Sequence, residues 1–214
     1  MKIYHGTSIS AYRKILKYGI KPRARRKGNW EDHPSHKDLV YLTTTYPFYF
    51  AIAASPRHAA RFVALEINLD KLDEGRIFPD EDFIYHALTK QVKNVSHAAV
   101  RDSLESYRCH WQDSLNYLGN VAYRGTIPVS AITRCCIVNC NDQNIFCSWA
   151  AGPSISPINF KIMGSYYRDL VSWAFGDRSS LPVDDATKVL VPNWEKQCEE
   201  LSANRKGIEI INLQ

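Results

Sequence analysis

The residues best suited to chemistry come early, where the stretch YHGTS sets His5 beside Gly6, Thr7 and Ser8. A histidine followed at once by a glycine and two hydroxyls can hold a polar ligand, because imidazole and hydroxyl groups both donate and accept. It is also an ordinary way to end a strand. A second set is cationic: in KPRARRK, Lys21, Arg23, Arg25, Arg26 and Lys27 make five of seven residues. Such a run is a solvated loop or a grip for a phosphate-rich partner. A third set is acidic. Asp80, Glu81 and Asp82 in FPDEDF read as a solvated turn at a helix start, where carboxylates offset the helix dipole. The functional alternative is that one of them orders a substrate base or a donor loop. The six cysteines (109, 135, 136, 140, 147 and 198) form no Cys-x-x-Cys pair. No metal site is expected, and they read as buried cytosolic thiols.

These groups need elements to position them. Ile3, His5 and Thr7 alternate with Lys2, Tyr4 and Gly6, which predicts a first strand. SISAYRKILKYGI carries Ile9, Tyr12, Ile15, Leu16 and Ile20 at helical spacing, with Ser8 or Ser10 to cap its start and Gly19 its end. LVYLTTT predicts a second strand with Val40 and Leu42 facing one way and Tyr41 and Thr43 the other. Short helical turns in PFYFAIAA, broken at Pro56, lead to a third strand, VALEINL. IFPDEDFIYHAL reads as a turn running into a helix, and about 90–117 as polar and helical. NVAYRGTIPVSAITRCCIVNC supplies two more strands, with Cys135 and Cys136 on opposite faces. The tail adds the ring-rich helix YYRDLVSWAF, a helix near 193–204 and a last strand, IEIIN.

The order of elements predicts an α+β fold. A chain of 214 residues buries roughly 70% of its unfolded surface and needs neither metal nor disulfide to fold. Hydrophobic residues make 45% and charged residues 23%, with a net charge of +5, the balance of a soluble and mildly basic protein. The opening residues already read as a strand, so no signal peptide is expected. No apolar run approaches the roughly 20 residues of a membrane span. A cytoplasmic protein without membrane contact is the expectation.

Three stretches taken in order, YHGTS, VYLTTT followed by an Ala-rich helix, and GNVAYRGTIPVSAI, resemble the ADP-ribosyltransferase superfamily of the diphtheria-toxin and PARP type. The similarity covers roughly the first 135 residues. It implies a split β-sheet core with flanking helices over residues 1–150, and a C-terminal α/β extension over 151–214 packed on that core as a single domain. It also implies NAD as donor. His5 would bond the nicotinamide ribose, Gly6 would let its backbone approach the carboxamide, and Thr7 would add a ribose or phosphate contact. Tyr41 would lie under the nicotinamide ring, with Tyr49 as a second ring. The family's late glutamate falls on Asn120, which can bond a ribose hydroxyl but carries no charge to balance an oxocarbenium ion. Gln112 or Asp113 would fill that role in another register, and Arg124 is a surface residue or a pyrophosphate contact.

The resemblance implies a mono-ADP-ribosyltransferase acting as a bacterial toxin or phage-defence effector, with an antitoxin or chaperone as partner. The basic run makes nucleic acid the expected acceptor, RNA ahead of DNA, contacted by Arg23, Arg25 and Arg26 with Trp30 stacking a base. Two alternatives stand beside it. One is a catalytically silent module that binds NAD or ADP-ribose. The other is an RNA 2′-phosphotransferase, which shares the His-Gly-Thr strand but needs a set of phosphate-gripping arginines and histidines; Arg13, Arg23 and Arg57 do not match its spacing.

Overall fold

The computed structural model describes residues 1–24, 36–56, 59–88, 96–152, 156–181 and 193–213. Among them, seven strands form one open sheet: β1 (Lys2–Ser8), β2 (Leu39–Thr43), β3 (Arg61–Asn68), β4 (Ile77–Pro79), β5 (Asn120–Arg124), β6 (Ile132–Asn139) and β7 (Ile208–Asn212). Their order is β4-β5-β2-β1-β3-β6-β7, and every pairing is antiparallel. The helices are α1 (Ile9–Tyr18), α2 (Pro47–Ala53), the single turn α3 (Glu81–Phe83) continued as a π-helix (Ile84–Leu88), α4 (His97–Asp102), α5 (Trp111–Leu118), α6 (Asn144–Ala151), α7 (Pro157–Ala174) and α8 (Trp194–Ala203). The protein is therefore α+β. Among the described residues, no helix is long and apolar enough to cross a membrane.

Alternation sorts the strands onto two faces. One face buries Ile3, Val40, Leu42, Leu65, Val121 and Cys135 with Tyr12 and Ile15 of α1. On the other, Tyr4, Phe62, Ala64 and Cys136 pack with Phe48, Phe146, Tyr166 and Trp173 of α2, α6 and α7. Phe78 and Ala122 continue that second face against Phe83, Ile84, Val100 and Leu118. The ends of α1 are as expected: Ser8 Oγ accepts from Ala11 N at 3.3 Å, and Gly19, at φ 75°, donates to Ile15 O.

The position of the site follows from an asymmetry around β1. It pairs with β3 along its whole length, from Lys2↔Asn68 to Ser8↔Phe62. With β2 it pairs at Tyr4↔Thr43 alone. The sheet is thus unzipped between β1 and β2 beyond Tyr4, and His5 is the first residue past the last pair. Helix α2 covers this part of β1 closely. A Cβ on Gly6 would lie 2.1 Å from Pro47 O and 2.4 Å from Ala51 N, so the missing side chain lets the helix backbone dock on the strand.

Three elements depart from the sequence expectations. IFP is an edge strand and not part of a turn; three residues are too short to establish a period, and Pro79 is tolerated because β4 has β5 on one side only. The helix α6 was not foreseen in NIFCSWAA, whose apolar residues show no clean stripe. The residues beyond 150 do more than cover the core: β7 pairs with β6 from Arg134↔Asn212 to Val138↔Ile208, and α7 buries Tyr166, Leu170 and Trp173.

Candidate functional site

His5 and Tyr41 meet across the unzipped seam. His5 shares a face with Ile3 and Thr7, whereas Tyr41 lies on the opposite face with Thr43. The gap between the strands lets the imidazole reach the neighbouring backbone, His5 Nδ1 lying 2.9 Å from Tyr41 O. A carbonyl only accepts, so Nδ1 carries the proton, and Nε2 is left as an acceptor. Burial lowers the imidazole pKa, and the bond to Tyr41 O only partly opposes it. The ring is neutral at pH 7.

Tyr41 is anchored by its hydroxyl. It donates to Glu81 Oε2 at 2.5 Å and accepts from His36 N at 2.8 Å. Burial, with Glu81 beside it, pushes the phenol well above its ordinary value, so it stays a donor. Glu81 is only 9% exposed. Burial raises its pKa, against the opposing pull of the Tyr41 hydroxyl and Arg101. Its second oxygen, Oε1, is buried and has no hydrogen-bond partner. The solvated turn expected here is thus corrected for two of its three acids, since Asp80 is also buried. The burial comes from α4 and α5, whose Val100 and Leu118 close over Phe78 and Phe83.

Asn120 begins β5 directly opposite Thr43 and is 3% exposed. Pairing puts it on the face of Tyr41, one residue-pair further along. It is tied to the acidic segment through Ser114, whose Oγ donates to Asn120 O at 2.7 Å and accepts from Asp80 N at 2.9 Å. Its side-chain Oδ1 is buried without a partner. Asp80 Oδ1 caps the following turn by accepting from Asp82 N at 2.9 Å, and burial raises its pKa well above the ordinary value.

The remaining candidates separate. Thr7 is buried on β1, and Gly6 faces α2. Tyr49 lies on α2 against Phe50, ring centroids 5.6 Å apart, half-buried at the edge of the aromatic core. Arg23 is described and partly exposed; Arg25, Arg26, Trp30 and Arg57 lie outside the described residues. Asp113 is an exposed residue of α5 bonded to His110 at 2.9 Å, and Gln112 is exposed on the same helix. Arg124 pairs with Glu105 and lies over the Phe78 ring at 4.2 Å, a surface ion pair. Among the described residues, no group of three or more His, Cys, Asp or Glu is placed to hold a metal ion. Glu81 was the residue sequence reasoning passed over. Its available signal was an acidic triplet enclosed by Phe78 and Phe83.

What these elements define is an α+β protein with an open antiparallel sheet and a polar centre at the β1–β2 seam. No family model and no curated protein matches the sequence. Among solved structures, one named EcPltA is similar at a TM-score of 0.37 and 12% identity, over 64% of this chain and 75% of that one. A similarity that low carries no argument.

Proposed function

We propose that the protein is a mono-ADP-ribosyltransferase that moves ADP-ribose from NAD to a macromolecular acceptor, with nucleic acid, RNA ahead of DNA, as the acceptor class. The observation that carries this reading is the meeting of His5 and Tyr41 at a seam left unpaired between β1 and β2, with Asn120 at the start of the next strand. In the reaction, the bond between the ribose C1′ and the nicotinamide nitrogen breaks, and its electron pair leaves with nicotinamide. The cationic C1′ then bonds an acceptor oxygen or nitrogen, which gives up its proton. His5 Nε2 accepts a ribose hydroxyl, Tyr41 contributes a flat ring, and Asn120 orders the ribose through its amide. The cationic run from Lys21 to Lys27 draws in the acceptor's phosphates. Such an enzyme acts in the cytoplasm as a toxin or anti-phage effector and is held in check by a neutralising protein.

A second reading, a silent binder of NAD or ADP-ribose, is favoured by one observation: Asn120 is uncharged where the chemistry asks for a carboxylate. One experiment separates the two. The protein is incubated with NAD labelled in the adenylate half, together with RNA, DNA or cell lysate, while nicotinamide release is followed in wild type and Asn120→Glu. Label on a macromolecule with wild type is expected. Binding without release, with activity only in the Glu variant, selects the silent module; no binding at all defeats both.

A further inference from the structure

Two buried oxygens in the site have nothing to accept from. Asn120 Oδ1 and Glu81 Oε1 lie within one short knot of contacts, Glu81 directly following Asp80, whose N–H meets the Ser114 hydroxyl that bonds Asn120 O. Tyr41 joins the same knot, sharing a face with Asn120 and holding Glu81 Oε2. A buried acceptor without a donor costs free energy, so native proteins rarely leave one. Two such acceptors in one place define the missing group as a pair of donors. They ask for hydroxyls or N–H groups, and repel an anion.

We propose that Glu81 is a catalytic residue: with Asn120 it receives the vicinal hydroxyls of the nicotinamide ribose, and it supplies the negative charge that Asn120 lacks. This rests on the NAD reading above. The hydroxyls donate one bond to each orphan oxygen. The carboxylate then faces the sugar as positive charge develops at C1′, and a fixed charge in a dry site stabilises that cation far more than it would in water. Tyr41 orients the carboxylate by holding Oε2 and leaving Oε1 free. The groups facing Glu81 are Tyr41, Asp82, Arg101 and the His36 backbone, with Asp80 adjacent. Arg101 is the cation among them and favours the ionised form.

The test compares NAD with analogues lacking the 2′- or the 3′-hydroxyl of the nicotinamide ribose, by calorimetric binding to wild type, Glu81→Gln and Glu81→Asp. Wild type should lose about ten- to a hundredfold in affinity for at least one analogue. Glu81→Gln should bind NAD and that analogue nearly alike, and Glu81→Asp should fall between. Glu81→Gln should also melt no lower than wild type, because it removes a buried charge. A Gln variant that discriminates as wild type does overturns this inference and leaves the NAD reading standing. So does a Gln variant that melts well below wild type, which marks Glu81 as a structural group. A wild type that binds no NAD overturns both.

Discussion

Two buried glutamates lie on the same side of the sheet, and their surroundings treat them in opposite ways. Glu66 of β3 is 3% exposed, and all its acceptor capacity is used. Oε1 accepts from Thr133 Oγ1 at 2.6 Å and Arg134 Nε at 3.0 Å, and Oε2 meets Arg134 and Lys2. Arg134 in turn holds Asp177. Burial alone would raise the Glu66 pKa, but Arg134 and Thr133 outweigh it and bring it below the ordinary value. Glu81 has one phenol for a partner, one idle oxygen and a raised pKa. A carboxylate whose every lone pair is answered by the protein holds the fold together; one left half-answered has capacity for a ligand.

The largest effect that sharpens this contrast is on stability. Glu66→Gln breaks a buried ion pair and leaves Arg134 partly uncompensated, which costs roughly 3 kcal/mol or more. For a chain of this size that lowers the melting temperature by on the order of 10 °C. Nicotinamide release per folded molecule should be unchanged. Equal damage to activity and stability would mean that the two glutamates are not functionally distinct.

A smaller effect falls on the link between Tyr41 and Glu81. Tyr41→Phe keeps the ring but strands Glu81 Oε2 and His36 N, at a cost of about 1–3 kcal/mol. The variant should still bind NAD through the ring while losing wild-type sensitivity to the ribose hydroxyls, because the carboxylate is no longer oriented. Tyr41→Ala should lose NAD affinity outright. Should Tyr41→Phe discriminate as wild type does, the phenol has no part in aiming the carboxylate.

The difference between the two glutamates also marks where the sequence could be read and where it could not. His5, Tyr41 and Asn120 fall on β1, β2 and β5 as their alternation and spacing imply, and the caps of α1 are local signals that need no tertiary information. The unpaired seam is different. Nothing in YHGTS or LVYLTTT specifies that the strands pair at one position only, because pairing is decided by what docks on them, here α2 against Gly6. The burial of Glu81 is likewise set by residues far along the chain, Val100, Leu104 and Leu118. An acidic triplet after a proline has the local chemistry of a turn. Glu66 was hidden for the same reason: VALEINL reads as a strand, but its partner Arg134 lies 68 residues on.

The smallest effect concerns pH, and the two glutamates should give it opposite signs. Glu66 has a lowered pKa, so its stabilisation is present above the ordinary carboxylate value and is lost as pH falls through the folded value. Glu81 has a raised pKa, so the folded protein binds its proton more tightly than the unfolded chain does. Its contribution is complete below the ordinary value of 4.5 and is lost as pH rises through the folded value. Glutamine is neutral throughout, so each variant reports the titration it removes. The melting temperature of Glu66→Gln minus wild type should become more negative from about pH 4 to pH 8. That of Glu81→Gln minus wild type should become more positive over the same window. NAD should flatten the second trend and not the first, because a ribose donating to Oε1 favours the ionised carboxylate and pulls the Glu81 pKa back toward its ordinary value. Parallel trends in the two variants would mean that Glu81 is as fully partnered as Glu66, and the distinction between a structural and a ligand-seeking carboxylate would fail.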